Sequence, residues 1–97
     1  MAYQIHFTNL SLADLDAIMD RALVEHETMA ERFGESLLNH AELLREFPYL
    51  GVAIGCGRRR LLHSPFHIYY KVNEEKRRVD IVRFWYTSRR PPKFTSR

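Results

Sequence analysis

The sequence predicts an α+β fold in which an N-terminal strand and an αα-hairpin pack on a mainly antiparallel sheet. Three observations lead there. Apolar residues alternate at period two over residues 3–7, recur at helical spacing from 12 to 47, and return to strand-like runs after residue 58. Pro48, Gly51, Gly55 and Gly57 punctuate the change from helix to strand. At 97 residues the chain can bury one core and is too short for two.

Tyr3, Ile5 and Phe7 alternate with Gln4, His6 and Thr8, which reads as a short strand with one buried face. Ser11 is predicted to open the first helix, with Asp14 three residues on as partner in the cap. The apolar stripe of that helix is Leu12, Leu15, Met19, Ala22, Leu23 and His26. Thr28-Met29-Ala30-Glu31 repeats the capping-box pattern, so a second helix is predicted to begin near Thr28. Its stripe is Ala30, Phe33, Leu37, Ala41, Leu44 and Phe47, and Pro48 closes it because proline disfavours helix at the preceding residue. Both stripes need cover.

The second half supplies that cover. Gly51, Gly55 and Gly57 mark an irregular or bulged segment. Arg58 to His63 forms a strand ended by Ser64-Pro65. Phe66 to Val72 is a second strand, residues 73–78 a polar turn, and Val79 to Tyr86 a third. The order is β-α-α-β-β-β. Residues 88–97, with Pro91-Pro92, read as an extended tail of one domain spanning 1–97.

Composition narrows the function classes. Apolar residues make up 45% and charged residues 28%, a balance that excludes a disordered chain. No apolar run approaches the roughly 18 residues of a membrane helix. Residues 1–6 lack the pattern of a signal peptide, and the single cysteine, Cys56, cannot form an internal disulfide. The expected setting is a reducing one, the cytoplasm.

Charge is unevenly divided. Residues 1–48 carry three basic and nine acidic residues, residues 49–97 twelve and three, for net charges of −6 and +9 within a total of +3. A positive field on one part of the surface favours a polyanionic or acidic partner. Eight of the twelve aromatics also follow residue 48. Cations interleaved with rings suit single-stranded nucleic acid. The alternative is that the aromatics form strand core and the arginines a solvated face.

Several segments occur in an order and at spacings that resemble the RelE/ParE toxin superfamily of bacterial type II toxin–antitoxin systems. They are residues 13–18 (Ala-Asp-Leu-Asp-Ala-Ile), 30–33 (Ala-Glu-Arg-Phe), 43–51 (Leu-Leu-Arg-Glu-Phe-Pro-Tyr-Leu-Gly), 66–72 (Phe-His-Ile-Tyr-Tyr-Lys-Val) and 81–89 (Ile-Val-Arg-Phe-Trp-Tyr-Thr-Ser-Arg). The resemblance runs from about Tyr3 to Arg90. It implies a RelE/ParE-like fold and a small toxin held inactive by a cognate antitoxin. Some members of the superfamily cut mRNA on the ribosome. Others, of the ParE branch, inhibit DNA gyrase.

Metal-free RNA cleavage needs a base for the 2′-hydroxyl, cations for the phosphorane, an acid for the leaving oxygen and a group that holds the base. Arg58, Arg59, Arg60, Arg83, Arg89 and Arg90 are candidates for binding phosphate. His63, His67 and Tyr86 are candidate proton carriers, and Trp85 or Tyr69 a stacking platform. By resemblance, Arg89 stands after the last strand, where nuclease members carry a catalytic arginine. Tyr86 lies near the place of a histidine in some, and His67 in the slot of an arginine. A lysine pair found ahead of the third strand in some nucleases is missing. Arg58-Arg59-Arg60 would replace its charge but not its proton chemistry, because arginine stays protonated.

Each candidate has a plainer alternative. Arg83 would pair with an acidic residue of the helices, His67 would be a hydrogen-bonded structural histidine, and Lys76-Arg77-Arg78 a solvated turn. Gly55-Cys56-Gly57 lacks the Gly-Lys-Ser/Thr of a phosphate loop, and Cys56 with His63 lacks the further ligands of a zinc site. No metal or cofactor is expected. The expectation is a toxin that binds and inhibits an essential target, ParE-like, such as DNA gyrase. Arg58, Arg59, Arg60, His63, Trp85 and Arg90 would meet that target or an acidic, partly apolar antitoxin segment. The alternative is a ribosome-dependent mRNA endonuclease using Arg89, Arg83, Tyr86 and His67. A third reading is a binding module outside any toxin role.

Overall fold

The computed structural model describes residues 2–25 and 30–94. The start of the second helix near Thr28, and His26, lie outside the described residues. Strand β1 (Gln4–Phe7) is followed by α1 (Asn9–Glu25) and α2 (Ala30–Glu42). A 3₁₀ turn (Leu43–Arg45) then leads into β2 (Val52–Gly55), β3 (Arg58–His63), β4 (Phe66–Asn73) and β5 (Arg78–Tyr86). The five strands form one sheet in the order β1-β5-β4-β3-β2, antiparallel except where β1 joins β5. The predicted α+β class and the helical pair on one sheet face hold.

Local chemistry explains three departures. The first helix begins at Asn9, two residues before the predicted cap. Thr8 caps it: its hydroxyl accepts the Ser11 N–H at 3.2 Å and donates to the Ile81 carbonyl at 2.8 Å. Ser11 is instead buried inside the first turn, its hydroxyl donating to the Thr8 carbonyl. Strand and helix share one connecting residue, so Thr8 must serve both ends.

The glycine-rich stretch predicted to be irregular contains β2, a fourth strand in the second half. Its pairing with β3 is bulged between Ala53 and Gly55, and Gly55, Cys56 and Gly57 all take positive φ to turn the chain. The second helix also ends earlier than Phe47. The chain tightens to a 3₁₀ turn at Leu43, and Phe47 is left exposed.

The core lies between the helices and one face of the sheet. Ile18, Leu37, Ala41 and Leu44 meet Leu61, Phe66, Ile68, Tyr70, Val79, Ile81 and Phe84. In α1 the buried stripe is rotated from the predicted one: Ile18 and Ala22 are buried, whereas Leu12 and Leu23 face outward. Period two fails once in β5. Tyr69 pairs with Arg83 but Tyr70 with Ile81, which leaves Val82 as an extra residue. The bulge resets the alternation, so that Val79 and Ile81 before it and Phe84 after it all face the core. Without it Arg83 would point into the core.

Gly51 stands where the loop from the 3₁₀ turn meets β3. A Cβ there would lie 2.7 Å from the Arg60 carbonyl oxygen and 2.9 Å from Tyr70 Cε1. The Gly51 N–H also donates to the buried Tyr70 hydroxyl at 2.8 Å. Gly51→Ala is therefore expected to destabilise the chain by about 1–3 kcal/mol, read from the urea midpoint at unchanged slope.

Candidate functional site

The sheet face turned away from the helices carries a basic and aromatic array. Alternation and register place Arg60 of β3 opposite Tyr69 of β4, and Leu62 opposite His67. His67 in turn stands opposite Trp85 of β5. Arg58 shares this face two residues from Arg60. The His67 and Tyr69 rings meet edge to face at 5.9 Å. Burial and the nearby Arg60 guanidinium both lower the His67 pKa below its usual 6.5.

The segment after β5 folds back across this face. The Trp85 indole N–H donates to the Arg90 carbonyl at 2.9 Å, and the Thr87 N–H to the Pro65 carbonyl at 2.9 Å. Phe94 lies 5.3 Å from the Tyr69 ring, and the Arg58 guanidinium lies over the Phe94 ring at 5.4 Å. These contacts leave Tyr69 only 2% exposed although it sits outside the main core. Arg60, Tyr69, Ile54, Pro91, Pro92 and Phe94 line a 310 Å³ cavity between this segment and the sheet. Trp85 is held by two cations, with Arg89 at 4.0 Å and Arg83 at 4.8 Å from its ring centre.

Arg83 itself is committed to α1. Its Nε and Nη2 each donate to Asp14 at 2.7 Å, a bidentate fork. The same carboxylate accepts the Phe84 backbone N–H at 3.1 Å. Beyond the Phe7–Ile81 pair, β5 has no β1 partner, so Asp14 stands in for a missing strand at that edge. The hydrogen bonds to Asp14 are the main reason the Arg83 pKa is raised. The alternative in which Arg83 pairs with an acidic helix residue is the arrangement found.

Other residues of the sequence-derived set lie elsewhere. Arg59 points to the opposite face from Arg58 and Arg60, over the Tyr49 ring at 5.0 Å. Tyr86 also faces the helices, against Phe66 at 4.7 Å with the Arg21 guanidinium 5.4 Å from its ring. His63 stacks on His40 of α2 at 4.3 Å, and its Nε2 lies 2.9 Å from the Ser36 hydroxyl. His40 Nε2 donates to the Leu62 carbonyl at 3.2 Å. Sequence reasoning missed His40, whose signal was its place on an exposed helix flank. Arg32, Glu35, Asn39 and Leu43 complete a 480 Å³ groove around this histidine pair.

Arg58, Arg60, His67 and Trp85 thus share one face, with Arg89 and Arg90 reaching it through Trp85. Tyr86, His63 and Arg59 belong to the other. Among the described residues, no three histidine, cysteine or acidic side chains converge as a metal site requires. No described helix is long and apolar enough to cross a membrane.

The fold is thus a five-stranded sheet backed by an αα-hairpin, with its open face basic. Residues 5–91 match the model of the ParE toxin of the type II toxin–antitoxin system parDE. The chain belongs to the ParE toxin family. The chromosomal ParDE toxin–antitoxin system from P. aeruginosa contains a similar chain, with a TM-score of 0.76 at 22% identity, covering 88% of this chain and 96% of that one. The RelBE2 toxin–antitoxin complex from Mycobacterium tuberculosis gives 0.60 at 21% identity, covering 89% and 99%. A mutant E. coli RelE toxin in the free state gives 0.57 at 19% identity, covering 91% and 86%. These likenesses concern the fold. No curated protein matches the chain significantly.

Three measurements test this geometry. Asp14→Ala leaves Arg83 and the Phe84 N–H without their acceptor, at an expected cost of about 1–3 kcal/mol in urea unfolding. The His63 pKa is lowered by burial first and by His40 second. Between that depressed value and the usual 6.5 the unfolded chain binds more protons. Stability is therefore full above that usual value and is lost as pH falls through the folded one. His63→Gln should flatten this slope. His40→Gln should move the His63 NMR titration only part of the way back, because burial persists.

Proposed function

We propose that this ParE-family toxin arrests growth by binding and inhibiting an essential target, with DNA gyrase the leading candidate, and that a cognate antitoxin neutralises it. The observation that carries this reading is the dispersal of the groups that RNA cleavage would require. Arg83 is engaged by Asp14, and Tyr86 lies on the opposite sheet face from His67. Arg89 is stacked on Trp85. A binding surface needs none of these to converge on one phosphate. The family match to ParE, rather than to a nuclease, favours the same mode.

In this reading the antitoxin contributes an acidic, partly apolar segment. It docks on the basic open face around Arg58 and Arg60 or in the helix–sheet groove beside His63. Steering by such charges is screened over about 8–10 Å, so added salt should slow association. Either target would put the toxin in the bacterial cytoplasm.

One observation favours a second reading, a ribosome-dependent mRNA endonuclease. His67, with its pKa lowered, sits near Arg60 and opposite Trp85 on the open face, where a neutral imidazole suits a general base. Expression of the chain separates the two. The inhibitor reading expects impaired gyrase supercoiling by the purified toxin and intact mRNA 5′ ends in induced cells. Codon-linked mRNA cuts that vanish in Arg89→Ala, with supercoiling unaffected, would establish the nuclease instead.

A further inference from the structure

The acidic half of the chain carries an unpartnered surface of its own. On α1, Leu12, Asp16, Met19 and Leu23 recur every three or four residues and so share one helix face. On α2, Glu31, Glu35 and Leu38 do the same. Between them runs a 340 Å³ trough lined by Leu15, Met19, Glu31, Gly34, Glu35 and Leu38. Gly34 shapes its floor, since a Cβ there would lie 2.5 Å from Met19 Sδ. Leu38, which lines it, is 36% exposed, and Leu12 and Leu23, on the same face of α1 as Met19, are 44% and 50% exposed, so the apolar surface continues along α1 beyond the trough.

Among the described residues, the charged side chains that line the trough, Glu31 and Glu35, are of one sign. Asp16, Glu31 and Glu35 form no ion pair among the described residues. The lone arginine of each helix lies outside the trough: Arg21 pairs with Glu25, and Arg32 lines the groove around His40 and His63, which Glu35 also borders. We infer that this trough docks a basic amphipathic helix of a partner protein, its apolar side chains between α1 and α2 and its lysines or arginines against Asp16, Glu31 and Glu35. Two antiparallel helices present a groove into which the ridge of a third helix fits, with anchors at helical spacing. A symmetric pairing of this surface with a second copy is disfavoured, because it would set the same carboxylates against each other. Anionic lipid is repelled for the same reason.

This surface lies on the opposite side of the helices from the basic sheet face. It is independent of which partner that face takes.

The test uses the full chain and a fluorescent leucine–lysine peptide of about 18 residues, long enough to hold a helix, with leucines at helical spacing. A control peptide has the same composition in scrambled order. Saturable one-to-one binding is expected, at least about tenfold weaker for the scrambled peptide and for the double variant Glu31→Lys with Glu35→Lys. Glu75→Lys, an exposed change of the same sign in the β4–β5 turn, should alter affinity less than about twofold. Equal binding of both peptides, or affinity unmoved in the double variant, would overturn the proposal. So would self-association of the chain, measured by sedimentation, that the double variant abolishes.

Discussion

The carboxylate of Asp14 is the point on which the arrangement of helices and sheet turns. It sits where β1 stops and β5 continues alone, and it receives both donors of the Arg83 fork and the backbone N–H of Phe84. One side chain therefore closes an edge, fixes α1 along β5 and neutralises a cation that the β5 bulge has turned out of the core. The desolvation of a half-buried ion pair is offset here by three hydrogen bonds to one acceptor group, which a simple surface pair lacks. Everything beyond the bulge inherits this placement. Phe84 reaches the core, Trp85 takes the open face, and Arg83 and Arg89 bracket its ring.

The segregation of charge along the chain becomes a segregation in space. The acidic residues of the helical hairpin form one side, and Arg58 and Arg60 of β3 with Arg89 of the final segment the other. Two surfaces of opposite sign can serve different partners. The open face is already partly covered by the chain's own Pro91, Pro92 and Phe94. Its cations and rings are accordingly pre-arranged on a rigid sheet, which lowers the ordering cost of a contact made there.

How much of this was legible in the sequence depends on the range of the interaction responsible. Tyr3, Ile5 and Phe7, the Ala30–Ala41 stripe and the run from Phe66 to Val72 announce strand, helix and strand by local periodicity, and the structure agrees. The cap at Ser11 and the stripe through Leu12 and Leu23 went astray because both depend on how α1 is clamped to β5 through Thr8 and Asp14. β2 was hidden because its four residues, the last of them Gly55, are all exposed and carry no burial pattern to read.

The sequence by itself determined the class of fold, the opposition of an acidic half to a basic half, and the kinship signalled by segments such as residues 43–51 and 81–89. Spacing and composition are sufficient for these, since they follow from the period of each element and the count of charges. Only the tertiary structure decided which cations stand together. Arg58, Arg59 and Arg60 are neighbours in the chain, yet the pleat of β3 sends the middle one to the far face. Tyr86 and His67 parted for the same reason, and Arg83 was claimed by a carboxylate 69 residues away. A side chain's face depends on the register and bulges of strands paired across the sheet.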